Sequence, residues 1–260
     1  MYIYMEEFKS YLTKTNLSPI TITGHLRHLS SYHGNLHDTE KNIINYVKEN
    51  YKIGSQRQNM TVSVLKYRGF YNLPVDILRT YLQKAHQEAL DLQAEKTRNI
   101  EYPSMKEMKD RLNDYYKNQD YRSFCVMYLL LTYQTRNMDL VATIVSDKNE
   151  INDTDNFIYL RGNDCIYIRN SYKTKDRYGQ KRDTIRNKKF NTAIRKLEVD
   201  EVLLHGTNLT YEVKKITGGH TESTLMKLSV KENDKLNNIV KISHNRGTNV
   251  QTIHGSYNAT

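Results

Sequence analysis

The chain has 260 residues, with 39 Lys and Arg against 29 Asp and Glu, which gives a formal net charge of +10. Hydrophobic residues make up 38%, only 3 Pro and 11 Gly occur, and no low-complexity tract is present, which argues against a disordered chain and for packed cores in two domains. Cys125 and Cys165 show no repeated ligand spacing, so neither a disulfide framework nor a zinc site is expected, and no segment approaches the length of a membrane span.

The expectation is a soluble, intracellular protein of a reducing compartment, cytoplasmic or nuclear according to its host. A charge of +10 favours a polyanionic partner through release of counterions from phosphates. A merely solvated basic surface gives the same count, so local residues must carry the argument.

The first part of the chain reads as helices. Phe8, Tyr11 and Leu12 form one face of a first helix that stops near Asn16 and Leu17. Ser18 is placed to cap a second helix with Pro19 at its first position, and Ile22, Leu26 and Leu29 follow as an apolar stripe. Ile43, Ile44, Val47 and Tyr51 mark a third. Ser55 to Phe70 marks a fourth, with Val62 and Leu65 expected inward and Lys66 and Arg68 outward. Pro74 ends that helix, and Leu78, Leu82, Ala85, Ala89 and Leu92 line one side of a long helix running to Arg98.

Between Thr97 and Pro103 the apolar periodicity stops. The predicted organisation is a helical domain over 1–96, a linker over 97–103 and a second domain over 104–260. Ser104 restarts helix with Met105, Met108 and Leu112 as its stripe, and "YRSFCVMYLLLTYQT" is apolar nearly all round, as expected of a buried central helix. From Asp155 to Asn187 the segments "NFIYL", "CIYIRN" and "KRDTIRN" read as a small three-stranded antiparallel sheet. "NTAIRKL", "ESTLMKLSV" and "DKLNNIVKI" are the remaining helical segments, and Tyr257 stands in the turn-rich "HGSYN".

Two segments carry a resemblance. "FKSYLTKTNLSPITITGHLRHLSSY" resembles the start of the SAM-like helical core-binding domain of tyrosine recombinases of the phage integrase type. "YLLLTYQTRNMDLVATIV" resembles the buried helix and polar turn that carry this family's first catalytic arginine. The likeness is divergent, of viral or mobile-element kind. It implies a mainly α fold, in which a DNA-clamping helical domain precedes an α+β catalytic domain.

The resemblance implies particular roles. Arg136 is the arginine that grips the scissile phosphate, a task suited to a planar, permanently charged fork. Lys173, in the basic turn of "YIRNSYKTKDRYGQKRDTI", is the general acid for the leaving 5′ oxygen, with Lys175 nearly equivalent. Lys175, Arg177, Lys181 and Arg182 in the same hairpin suit contact with the phosphate backbone, as do Arg246 and, in the first domain, Arg27, Lys66 and Arg68.

His220 and His244 take the histidine positions, with His254 a competitor, and Tyr257 is the nucleophile. Where a second arginine is expected, three residues after His220, the chain has Ser223, and Lys227 or Arg246 is the substitute. The implied reaction is site-specific recombination or integration through a 3′-phosphotyrosyl intermediate, without metal or nucleotide cofactor, by a tetramer assembled on duplex DNA. Whether Tyr257 acts in cis or in trans stays open. Two alternatives stand beside it: a type IB topoisomerase-like nicking and closing enzyme, and a recombinase-derived DNA-binding protein without catalysis.

Overall fold

The computed structural model describes residues 2–15, 17–98, 102–232 and 236–257, and the side chains of 5–15, 17–95, 102–232 and 238–253. The chain divides into two compact units, Met1–Ile100 and Glu101–Ala259.

The first unit consists of α1 (Tyr2–Thr13), α2 (Pro19–Ser30), α3 (Glu40–Asn50), α4 (Ser55–Phe70) and α5 (Asp76–Arg98). Ser18 caps α2 by accepting the Thr21 N–H at 3.2 Å, and Thr39 caps α3 by accepting that of Asn42. Phe8, Leu12, Leu29, Ile43, Val47, Val64 and Leu78 meet in its core. Glu40, itself buried, accepts the Leu78 N–H at 2.8 Å and so ties the start of α3 to the first turn of α5.

The packing of α4 differs from the sequence expectation by a rotation about its axis. Met60, Val64 and Tyr67 are buried, whereas Val62 and Leu65 are only half-buried. Arg68, expected on the surface as a DNA contact, is 2% exposed. Its Nη1 donates to the carbonyls of Leu36 and Asp38 and its Nε to that of Pro74. Those loop carbonyls have no sheet or helix ladder to join, and the guanidinium satisfies them from inside.

The second unit begins with α6 (Met105–Lys117), capped by Ser104, and α7 (Tyr121–Tyr133), capped by Asp120. Phe124, Cys125, Val126, Met127, Leu129 and Leu130 of α7 are all buried, so this helix forms the centre of the core. Then come β1 (Ala142–Val145), β2 (Asn156–Arg161), β3 (Asp164–Arg169), α8 (Lys175–Tyr178), β4 (Lys181–Ile185) and α9 (Lys188–Ile194). The unit closes with α10 (Leu209–Thr217), α11 (Glu222–Glu232), α12 (Leu236–Arg246) and α13 (Val250–Tyr257).

The sheet is four-stranded and mixed rather than three-stranded and antiparallel. Its order is β1-β2-β3-β4, with β1 parallel to β2 and the other pairs antiparallel. The added strand is the apolar "ATIV" that follows the Arg136 turn, and Ile144 exchanges backbone hydrogen bonds with residues near Glu201 on its other side. Tyr257, expected in an irregular segment, is the last residue of a helix. Its side chain and that of His254 lie outside the described residues. Among the described residues no helix is long and apolar enough to cross a membrane.

Candidate functional site

α7 ends on Gln134 in the left-handed conformation, φ 46°, which turns the chain sharply and leaves Arg136 as N-cap of a 3₁₀ turn over Asn137–Leu140. The Arg136 backbone N–H donates to Asp139 Oδ2 at 3.2 Å, so the carboxylate fixes the residue from behind. The half-buried guanidinium reaches forward, and its Nη1 donates to the Arg246 carbonyl at 2.7 Å.

That carbonyl belongs to the end of α12, where the last turn of any helix has oxygens without intrahelical partners and a partial negative charge. Side chains from distant segments take them up. Lys181 Nζ donates to the His244 carbonyl and, at 3.1 Å, to that of Asn245. Arg169 Nη1 also donates to the Asn245 carbonyl, at 2.7 Å. Thr174 Oγ1 donates to Gly247 at 2.5 Å. Gly247 has φ +64°, and an added Cβ would lie within 3.0 Å of Thr174 Oγ1, Lys181 Nζ and Tyr172 Cε2. Only glycine fits this close, left-handed turn.

Arg169 is 1% exposed and lies between Asp183, at 2.6 Å, and Asp139, at 3.8 Å. Burial pushes the Asp139 carboxyl up, against the pull of the Arg136 N–H and the Arg169 guanidinium. Lys181 is 7% exposed. Burial first, then the Arg169 charge, bring its ammonium down to about 8, although Asp183 and Asp139 pull the other way. Its Nζ also lies 5.2 Å from the centre of the Tyr172 ring.

Arg246, 5% exposed, knits the front of the cluster. Its Nη2 pairs with Glu222 Oε1 at 2.8 Å and its Nη1 donates to the Gln134 carbonyl at 3.0 Å. The second Glu222 oxygen accepts the Asn137 N–H, so one carboxylate joins the start of α11, the end of α12 and the Arg136 turn.

Of the residues expected from sequence, Arg136, Lys181 and Arg246 therefore come together. Lys181 and Arg246 do so as buried groups rather than as surface phosphate contacts. Lys173 is exposed and has no partner among the described residues. Lys175 donates to the Asp153 carbonyl, Arg177 lies over the Tyr178 ring at 5.4 Å, and exposed Arg182 donates to Gln180 Oε1 at 2.6 Å. His220 is half-buried and His244 exposed, and neither ring has a hydrogen-bond or ion-pair partner among the described residues. Lys227 Nζ is 3.3 Å from Tyr102 Oη. In the first unit, Arg27 is exposed on α2 and Lys66 half-buried on α4.

Sequence reasoning missed Arg169, Asp183 and Glu222 and used Asp139 only as context for Arg136. One signal existed. Arg169 and Lys181 face each other across the β3–β4 pair, and like charges directly opposite are unfavourable unless anions stand nearby. Four cations, Arg136, Arg169, Lys181 and Arg246, meet three carboxylates, Asp139, Asp183 and Glu222. The excess is positive and partly shielded from water, which suits an anion such as a phosphodiester. Among the described residues no group of three or more His, Cys, Asp or Glu is arranged to hold a metal.

No family model matches the chain, and no curated protein matches it. Among solved structures, the crystal structure of XerA recombinase is similar over 98% of this chain and 93% of its own, with 15% sequence identity and a TM-score of 0.38.

Proposed function

We propose that this protein breaks and rejoins strands of duplex DNA as a tyrosine recombinase does, with the first unit clamping DNA and the second performing the chemistry, in a tetramer assembled on its sites. The observation that supports this most is the convergence of Arg136, Lys181 and Arg246, far apart in sequence, at one helix end in the unit whose last helix ends on Tyr257.

In this reading the Tyr257 hydroxyl releases its proton to solvent water as its oxygen attacks the phosphorus, forming a phosphotyrosyl bond as the bond to the 5′ oxygen breaks. Arg136 stabilises the charge that gathers on the non-bridging oxygens. Lys181 protonates the leaving 5′ oxygen, a role that suits an ammonium lowered to about 8, since it is still charged at neutral pH and gives up its proton readily. Religation reverses these steps with the 5′ hydroxyl of a partner strand. Lys181 thus replaces Lys173, whose exposed side chain is assigned to the DNA backbone. Arg246 takes the position of the second cation.

A non-catalytic DNA-binding protein is the second reading, favoured by the Arg246 fork being engaged by Glu222 and the Gln134 carbonyl. Single-turnover cleavage at saturating DNA separates the two. Lys181→Met is expected to slow cleavage by about a hundredfold or more, the usual contribution of a general acid, while Lys173→Met changes mainly affinity. Equal cleavage by wild type and Lys181→Met removes Lys181 from the chemistry, and no cleavage by any form supports the binding-only reading.

A further inference from the structure

In the first unit, α2 and α4 enclose a histidine pair that the proposed chemistry does not use. His25 Nδ1 and His28 Nδ1 both lie against Ser63 Oγ, at 2.9 and 3.2 Å. Ser63 is fully buried and gives its only proton to the Asn59 carbonyl, at 2.9 Å. Its oxygen must therefore accept from both rings, which fixes both imidazoles as Nδ1–H tautomers and leaves each Nε2 as a bare acceptor. Neither Nε2 has a partner among the described residues. A proton can add at each Nε2 without breaking any hydrogen bond of the cluster. The site is built to titrate while folded.

The surrounding charges are positive. Lys66 from α4 and the neighbouring His28 act on His25, and Arg27 acts on His28. No carboxylate among the described residues acts on either ring. Burial is the first cause, and these cations the second, of both imidazoles being held below their ordinary range. Protonation would set His25 and His28 as cations beside Lys66 between α2 and α4, with the exposed Arg27 next to His28 on α2, an arrangement that a polyanion makes favourable.

Resting on the proposed role of the first unit as a DNA clamp, we infer that His28, Arg27 and Lys66 form a phosphate-backbone site whose occupancy is coupled to proton uptake by His28 and by His25, which is buried behind it. Phosphates close to the rings replace repulsion by attraction and favour their charged forms. DNA affinity then rises as pH falls, by up to about tenfold per pH unit for each proton taken up. The Arg68 guanidinium three residues beyond Leu65 contributes nothing here, because it is buried among loop carbonyls.

The test is fluorescence anisotropy of a rhodamine-labelled duplex with the full chain at constant ionic strength, from about pH 8 to about pH 5.5. Wild type is expected to bind at least about tenfold tighter at the acid end. The double variant His25→Asn, His28→Asn keeps an amide donor for Ser63 and is expected to lose most of that gain. Binding with no pH dependence, or with the same dependence in the double variant, overturns the inference alone. No binding at any pH overturns it together with the clamp reading. Because the variant must fold to be read, the histidine ring signals of the wild type are also followed by NMR with and without duplex. Titration of His25 and His28 at higher pH in the complex supports the coupling, and unmoved titration overturns it.

Discussion

Replacing Arg169 with Met tests whether one buried guanidinium organises the cation cluster. The substitution keeps the length and apolar bulk of the side chain and removes its charge, its pairs with Asp183 and Asp139 and its bond to the Asn245 carbonyl. Asp183 is 22% exposed and can recover water, but Asp139 is 1% exposed and cannot. Asp139 must therefore take up a proton, to which burial already inclines it. Removing one member of a buried pair costs about 3–5 kcal/mol. Loss of the Arg169 contact with the Tyr167 ring, at 5.1 Å, adds to this, while release of the unpartnered Arg169 Nε subtracts. The expected loss is about 4 kcal/mol, which in a unit of this size lowers Tm by roughly 8–16 °C in calorimetry of the full chain. Lys181 should also titrate above its value of about 8, since Arg169 is the strongest charge holding it down. A stability loss below about 1 kcal/mol, or an unmoved Lys181 titration followed by NMR, refutes the reasoning.

Gly247→Ala should cost about 2–4 kcal/mol, because alanine adds left-handed strain at φ +64° to contacts of 3.0 Å or less with Thr174 and Lys181. Urea unfolding checks it, and a neutral change shows that this turn tolerates a side chain. Acid should weaken the first unit. His25 and His28 titrate below their ordinary value of 6.5 when folded, so the unfolded chain binds more protons as pH falls. Their contribution is complete above 6.5 and is lost as pH falls through the folded values, which thermal melts by circular dichroism across this range would register. A melting temperature that stays constant or rises on acidification contradicts the burial of these rings in neutral form.

Much of the helical layout is legible because local signals agree with the tertiary outcome. Ser18 and Pro19 start α2, Ser104 caps α6, and the unbroken apolar run of α7 can only be buried. β2, β3 and β4 follow from β-branched and aromatic alternation broken by Gly162 and Asn163 and by a polar turn. β1 is harder to read. Four apolar residues are too few to show a period, and their parallel pairing is set by the crossover rather than by local sequence. α13 carries Gly255 and Ser256, residues that read as a turn, and α10 mixes aromatic and β-branched residues with polar ones. The face of α4 was misread because Thr61 and Ser63 are fully buried polar residues, satisfied by the Arg57 and Asn59 carbonyls, and no hydropathy pattern shows that. At the candidate site, the buried helix that ends just before Arg136 was legible from its unbroken apolar run. The inward turn of Lys181 and Arg246 was not, because both cations are recruited by the free carbonyls and acids of elements remote in sequence.

The most direct measurement is incubation of the full chain with a nicked suicide duplex carrying its recombination site, followed by denaturing electrophoresis and peptide mapping by mass spectrometry. The account predicts a denaturation-resistant adduct in which DNA is attached to Tyr257 through a 3′ phosphate, absent from Tyr257→Phe although that variant binds the same duplex equally well. An adduct on another tyrosine, or a wild-type protein that saturates the site and forms no adduct, would contradict it.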